Sequence, residues 1–305
     1  MTWWQALVLG IVEGVTEYLP VSSTGHLILV AWLLGLSGSD ETWRATNTFN
    51  IVIQAGAILA VVGLYHGRVL QIVRGMAAAG WVGVRCRRVR PSAVLEGLGS
   101  ADRDGARLAM NLVVAFLPAA ALGPLFADAI EQYLFKPWPV VAALFVGAWL
   151  MLAVAHSRRL SRSEHSGRSL NHITWQIAVL IGFGQCIAMC PGTSRSMMTI
   201  VAALMLGLRP RAAAEFSFLL GLVTLTAATG YKAVTGGAQM LDQVEWSNLL
   251  IGVITATVAA ALAMKWFVAI LIRHGVAPFG WYRLGVALLL AVLLVAGVLK
   301  VPAAL

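Results

Sequence analysis

Long apolar stretches separated by short polar ones make up most of this chain. Six of them are uninterrupted and approach the ~20 residues that a helix needs to cross a lipid bilayer. The strict alternation that marks a membrane β-barrel is missing from these stretches. We therefore expect an all-α polytopic membrane protein, with spans at residues 49–65, 108–127, 139–155, 215–235, 248–272 and 283–301.

Two further apolar regions, 3–35 and 174–208, are interrupted in the middle by Pro, Gly, Ser and Thr. Backbone that is not helical at membrane depth must be buried in protein or line a wet cavity. Each region is therefore predicted to form a re-entrant helix–loop–helix hairpin. The alternative of eight full spans with two polar kinks is disfavoured, because it makes the charges of the connections inconsistent with one orientation.

The order of these elements predicts an internal repeat within a single membrane domain, 1–305. The segments 1–155 and 174–305 each contain one broken hairpin followed by three spans. Because three is an odd number, the second half starts on the opposite side of the membrane. The halves are then inverted repeats, and in such repeats the broken segments meet near the middle of the bilayer.

Composition and charge agree with a membrane protein, since 59% of the residues are hydrophobic and 11% are charged. The net charge of +9 does not indicate a nucleic-acid partner, because the arginines concentrate in 66–107 and 156–172, between the spans. The positive-inside rule assigns both segments to the cytoplasm, with 66–107 as a basic loop. Acidic residues dominate the connections on the other face, at 36–48, 128–138 and 236–247.

The first broken region holds the most informative residues of the chain. An ionisable side chain at membrane depth costs roughly 2.5–3.5 kcal/mol, so it is a functional-site hypothesis by default. Glu13 and Glu17 lie four residues apart on one helix face, and they do not both ionise cheaply unless a cation or a proton sits between them. The turn that follows carries the hydroxyls and the imidazole of Ser22, Ser23, Thr24 and His26.

The second broken region has the same construction, with a hydroxyl-rich turn that opens a helix. A helix N-terminus binds anions such as phosphate, and Arg195 can bind a phosphate through two parallel hydrogen bonds. Acids, a base, a hydroxyl nucleophile and a phosphate clamp together indicate phosphoryl transfer or hydrolysis. The expected phosphate-binding residues are Arg195, Ser194, Ser196, Thr24, Ser22 and Thr199.

Structural interpretations of these residues remain open beside the functional one. Glu13 and Glu17 would also suit an ion pair with Arg195, and a hydroxyl at the start of a helix is a common cap. The crowding of Ser, Thr and His in one turn favours function. Asn50 and Gln54, one turn apart on the next span, either line the cavity or bond to a neighbouring helix.

The segments Glu13-Gly-Val-Thr-Glu-Tyr-Leu-Pro-Val-Ser-Ser-Thr-Gly-His26 and Pro191-Gly-Thr-Ser-Arg-Ser196 resemble the two signature motifs of the bacterial undecaprenyl-diphosphate phosphatase family, the bacitracin-resistance type. The segments 49–54, 214–218 and 278–283 are also similar to that family, so the resemblance covers nearly the whole chain. One departure is the methionine at position 197, where the family usually has glycine.

The resemblance implies hydrolysis of undecaprenyl diphosphate to undecaprenyl phosphate and phosphate, which recycles the lipid carrier for cell-wall synthesis and confers bacitracin resistance. It implies catalytic roles for Glu17, Ser23 and His26, and phosphate binding by Arg195. It also implies a divalent cation, Mg²⁺ or Ca²⁺, which Glu13 and Glu17 would help to hold.

The expected partners are a polyprenyl diphosphate substrate and membrane lipids, and a homodimer is one arrangement that the sequence leaves open. The expected location is the bacterial inner membrane, with a site that opens to the periplasmic side. Inverted repeats with broken helices are also typical of secondary transporters, so a polyprenyl-phosphate flippase is the competing function. A transporter has no need of a Ser–His–Glu set, which favours the enzyme. Whether Ser23 is a nucleophile or only orients water stays open.

Overall fold

The computed structural model describes residues 1–85, 98–134, 136–157, 167–236 and 245–298. These ranges are almost entirely helical, which confirms the predicted fold class. Half of the arginines in the two basic segments lie outside the described residues. The helices are α1 (Trp3–Glu17), α2 (Ser23–Leu33), α3 (Asp40–Leu64), α4 (His66–Arg85), α5 (Ser100–Leu134), α6 (Pro137–His156), α7 (Trp175–Ile187), α8 (Arg195–Met205), α9 (Pro210–Gly236), α10 (Trp246–His274) and α11 (Ala277–Val295).

The six predicted spans are confirmed as α3, α5, α6, α9, α10 and α11, which are long and apolar enough to cross a membrane. Most of them are longer than predicted, because polar turns outside the membrane continue the helix. The 35 residues of α5 extend about 52 Å, well beyond the ~30 Å of the hydrocarbon core.

The predicted cytoplasmic loop 66–107 is helical at both ends, which corrects its description as a loop. Helix α4 packs against the first turns of α5. Two glycines permit this close approach, since a Cβ at Gly75 or Gly105 would overlap the backbone of the opposite helix. The outer face of α4 exposes large apolar side chains, among them Leu70, Val73 and Trp81.

Both broken regions form the predicted hairpins of two short helices, and the helices of each pair pack against each other. The first hairpin has helices of 15 and 11 residues, and the second has helices of 13 and 11. At about 1.5 Å per residue none of them spans ~30 Å. The residue before each second helix, Ser22 or Ser194, has a positive φ of 72° or 71°, which is uncommon for a residue other than glycine.

Each hairpin packs on the opposite half of the chain. Helix α1 packs along α10, and α7 packs along α5. Glycines allow both contacts, because a Cβ at Gly10 would overlap the backbone of Gly252, and a Cβ at Gly182 would overlap that of Ala115. The first helix of each hairpin thus contacts the middle span of the other half. Inverted symmetry of the two halves would produce such an exchange, and it stays a prediction.

A fully buried guanidinium, that of Arg283 in α11, connects both hairpin turns to α6. In the described part of the chain no carboxylate forms an ion pair with it. Its N–H groups donate to carbonyl oxygens at 2.8 to 3.4 Å instead. These are the carbonyls of Pro20 in the first turn, Gly192 and Thr193 in the second, and Ala143 and Leu144 in α6.

The unusual methionine lies beside this guanidinium. Met197 is fully buried in the core, and it does not line the cavity described below. A Cβ at Gly147 of α6 would overlap both the Arg283 guanidinium and the terminal methyl group of Met197. Gly147 therefore leaves the space that these two side chains share.

We expect Arg283→Met to lower the melting temperature of the detergent-solubilised protein by several degrees. The apolar stem remains, but the turn carbonyls of Pro20, Gly192 and Thr193 lose this donor, and an unsatisfied buried group costs about 1–3 kcal/mol. The melting temperature of Arg283→Lys should lie between those of Arg283→Met and the wild type, because an ammonium offers three donors. The matched control is Arg273→Met, at an exposed arginine near the end of α10. An Arg283→Met protein with the same melting temperature as the wild type would contradict this stabilising role of Arg283.

Candidate active site

A cavity of about 230 Å³ lies where the two hairpin turns meet. Its volume is below the ~300–1,000 Å³ of pockets for drug-sized ligands, so it suits a polar head group rather than a long lipid chain. Polar residues of both turns and of three neighbouring helices line it. They are Glu17, Ser22, Ser23, Thr24, Ser194 and Arg195, together with Gln54, Gln185 and Thr224.

The carboxylate of Glu17 joins the two hairpins within this cavity. The hydroxyl of Ser23, at the start of α2, donates to its Oε2 at 2.7 Å. The guanidinium of Arg195, at the start of α8, donates to its Oε1 at 2.8 Å. Both partners of this ion pair are largely buried, with side-chain exposures of 11% for Arg195 and 8% for Glu17. A hydroxyl, a carboxylate and a guanidinium from both halves of the chain therefore meet at one point.

Neighbouring residues hold the Arg195 guanidinium in place. Its carbon lies 5.1 Å from the centre of the Tyr18 ring, which allows a cation–π interaction. Its Nη1 donates to the Ser217 carbonyl at 3.3 Å. A Cβ at Gly221 would overlap the guanidinium, so glycine leaves room for it there. The buried Nε of Arg195 has no hydrogen-bond partner among the described residues, so the protein does not use every N–H of this guanidinium.

The predicted phosphate-binding hydroxyls separate into two groups. Ser22, Thr24 and Ser194 line the cavity with Arg195. Ser196 and Thr199 are fully buried outside its lining and bond to protein instead. The Ser196 hydroxyl donates to the Leu19 carbonyl of the first turn at 2.8 Å, and the Thr199 hydroxyl lies 2.6 Å from that of Ser217. In this structure these last two residues connect helices and turns.

Both ring nitrogens of His26 contact groups other than the Ser23 hydroxyl. Its Nδ1 lies 2.7 Å from the Ser22 carbonyl, which only accepts, so Nδ1 carries the proton. In the neutral ring Nε2 is therefore the acceptor, and the Tyr282 hydroxyl lies 2.8 Å from it. The two rings are also stacked. Ser23 thus has Glu17 as its partner here, rather than His26.

Glu13 is fully buried on α1 and does not line the cavity. Neither of its carboxylate oxygens has a hydrogen-bond partner in the described ranges, although Glu13 interacts electrostatically with Glu17 and Arg195. Mg²⁺ and Ca²⁺ bind oxygen ligands, so an unpartnered carboxylate beside Glu17 fits such a cation. The described residues contain no cluster of three or more His, Cys, Asp or Glu side chains that could hold the ion without other ligands.

Sequence reasoning did not assign a role to Gln185, Thr224 or Arg283. The available signal was the isolated polar or charged residue in an otherwise apolar helix, which membrane helices retain only where it has a partner or a function. Gln54, whose role was left open, lines the cavity. Its neighbour Asn50 does not, and its buried Oδ1 has no partner within the described part.

The family model described as bacitracin resistance protein BacA matches residues 6–289. An undecaprenyl-diphosphatase of Sorangium cellulosum is 44% identical over 291 residues, covering 95% of this chain and 85% of the relative. The undecaprenyl-diphosphatase 1 of Stutzerimonas stutzeri is 39% identical over 289 residues, covering 94% and 92% of the two chains. An undecaprenyl-diphosphatase of Pseudomonas aeruginosa is 40% identical over 293 residues, covering 95% and 94%. This chain therefore belongs to the BacA family of bacitracin resistance proteins.

Proposed function

We propose that this protein hydrolyses undecaprenyl diphosphate to undecaprenyl phosphate and phosphate. The names of its relatives support this substrate. The observation that carries the reaction is the Glu17 carboxylate, which accepts from the Ser23 hydroxyl and from the Arg195 guanidinium in one cavity. This arrangement joins a nucleophile, a base and a phosphate-binding cation, and it is what a hydrolase requires and a carrier does not.

In the proposed first step, the Ser23 oxygen attacks the terminal phosphorus and Glu17 takes the hydroxyl proton. The bond from that phosphorus to the bridging oxygen breaks, and the bridging oxygen leaves with the electron pair as part of the lipid monophosphate. Water then attacks the phosphoserine. Its hydroxyl stays on the released phosphate, one proton returns to the Ser23 oxygen, and Glu17 releases its proton to solvent. Arg195 offsets the charge on the terminal phosphate throughout.

Glu17 takes the Ser23 proton in this scheme because it is the residue in contact with that hydroxyl. The predicted role of His26 as a base remains a proposal, and it requires the ring to exchange its contact with Tyr282. Glu13 and Glu17 are the residues that would hold a divalent cation. When bound, such a cation would offset negative charge of the diphosphate.

The cavity accommodates only the head group, so the polyprenyl chain would lie in the surrounding lipid. We place the protein in the bacterial inner membrane, with the cavity opening to the periplasmic side. The charge distribution supports this orientation, since arginines cluster in the connections assigned to the cytoplasm. Association into a homodimer stays a prediction.

Arg195→Ala and Arg195→Lys should both lower phosphate release from farnesyl diphosphate by orders of magnitude in detergent. The lysine ammonium cannot reproduce the planar guanidinium that contacts Glu17 and the phosphate. A matched control is Arg68→Ala, which removes the 2.7 Å ion pair between Arg68 and Glu215, outside the cavity. Near-normal release by Arg195→Ala would rule out this site. A wild-type protein that releases no phosphate, but moves the lipid across vesicles, would favour the flippase.

Ser23→Ala should be nearly inactive if Ser23 is the nucleophile, and acid quenching of the wild type should trap a phosphoseryl enzyme. Glu17→Gln should also lose activity, because the amide cannot take the hydroxyl proton. The control is Ser39→Ala, which removes an exposed hydroxyl at the start of α3. A Ser23→Ala rate within about tenfold of the wild type, or ~1.4 kcal/mol in barrier, would favour direct attack by water and leave the hydrolase assignment intact.

Cysteine labelling in intact cells tests the orientation. Ser100→Cys, at the start of α5, should be shielded from a membrane-impermeant thiol reagent, and Ser247→Cys, at the start of α10, should react. Both positions are exposed to solvent at helix ends. The native Cys86, Cys186 and Cys190 are replaced beforehand. Labelling of Ser100→Cys but not Ser247→Cys would reverse the orientation.

A further inference from the structure

Gln185 lines the cavity, and the reaction scheme does not use its side-chain amide. Gln185 is near the end of α7 and is only 2% exposed. Its Oε1 lies 3.1 Å from the Thr224 hydroxyl of α9, whose single proton is shared with the Leu220 carbonyl at 2.8 Å, so the amide lies against that helix. Its Nε2 is buried and has no hydrogen-bond partner among the described residues.

A buried amide donor without a partner is costly, and it points to a ligand when it borders a cavity. The NH₂ group offers two N–H donors and no acceptor, so the ligand it suits is an acceptor oxygen, such as one of a phosphate. Gln54 of α3 and Thr224 line the same cavity. Three helices thus place neutral polar groups beside the Glu17–Arg195 pair.

Charge explains why neutral donors are needed here. The described lining of the cavity contains one carboxylate and one guanidinium, those of Glu17 and Arg195, and they already form an ion pair. A diphosphate brings more negative charge than this single arginine neutralises. Even with a cation held by Glu13 and Glu17, the oxygens of the second phosphate need hydrogen-bond donors, and amide N–H groups in a site with little water serve this purpose.

We propose that Gln185, held by Thr224, binds the phosphate that stays on the lipid and so selects diphosphates over monophosphates. This inference rests on the proposed function, in which Ser23 and Arg195 act on the terminal phosphate. A monophosphate bound at Ser23 has no second phosphate to reach the amide. A site that hydrogen-bonds one substrate group discriminates strongly against ligands that lack it, because its buried donor is then unpaired.

The test compares a diphosphate and a monophosphate ligand on the same variants. Gln185→Met keeps the length of the side chain and removes the amide, and Thr224→Val removes its tether. Inhibition of farnesyl diphosphate hydrolysis by methylenediphosphonate should weaken about tenfold or more in Gln185→Met. Inhibition by inorganic phosphate should stay within about twofold of the wild type. Thr224→Val should weaken methylenediphosphonate inhibition by a smaller factor and should also leave phosphate inhibition within about twofold of the wild type.

The matched control is Asn111→Leu, which removes another buried amide. The Asn111 Nδ2 donates to the Ile173 carbonyl at 2.8 Å and lies outside the cavity lining. This variant should leave the ratio of the two inhibition constants unchanged. If Gln185→Met does not fold, as judged by its melting temperature, the ratio measured for Thr224→Val decides the question.

Unchanged methylenediphosphonate inhibition in Gln185→Met would overturn the proposal, and so would equal weakening of both inhibitors. Failure of the wild type to hydrolyse farnesyl diphosphate would instead count against the proposed function. Calorimetric binding of methylenediphosphonate does not depend on turnover. If the wild type does not hydrolyse farnesyl diphosphate, this calorimetric measurement would still show whether the Gln185 amide contributes to diphosphate binding.

Discussion

Two stretches of non-helical backbone inside a membrane protein are tolerated only if the protein satisfies their polar groups, and here Arg283 meets that constraint. Its buried guanidinium donates to carbonyls of both turns and of α6. Lipid offers those carbonyls no donors. The carbonyl dipoles in turn stabilise a positive charge that has no carboxylate partner among the described residues. The two turns are thereby fixed relative to each other.

The geometry of the active site follows from the fixed positions of the two turns. Once the turns adjoin, Glu17 at the end of one short helix reaches Arg195 at the start of another, and the Ser196 hydroxyl adds a second link to Leu19. A buried ion pair contributes little net stability, because desolvation offsets most of its attraction. The Glu17–Arg195 pair is therefore better explained by function, as charges held ready for a phosphate, while Arg283 supports the turns.

The hairpins also show how one kind of residue serves two purposes. Thr24 and Ser194 line the cavity, and the Ser194 hydroxyl also caps α8 by accepting from the Met197 N–H. Hydroxyls buried beside them, such as Ser196 and Thr199, satisfy backbone or another hydroxyl. In the same way, the Oε1 of Gln185 contacts the Thr224 hydroxyl, whereas its Nε2 has no partner among the described residues. Residues that line the cavity and residues that hold the hairpins together therefore lie on the same few turns of helix.

The sequence by itself determined the spans, the two hairpins and the family motifs, because each depends on local features. A run of apolar residues defines a span, and Pro, Gly and Ser within such a run define a break. Only the tertiary structure decided which groups meet. The partners Glu17 and Arg195 are 178 residues apart, and His26 and Tyr282 are 256 apart. The roles of Arg283 and Gln185 likewise depend on contacts between distant helices. No local pattern encodes such contacts, since they arise only when helices pack and lipid excludes water from their polar groups.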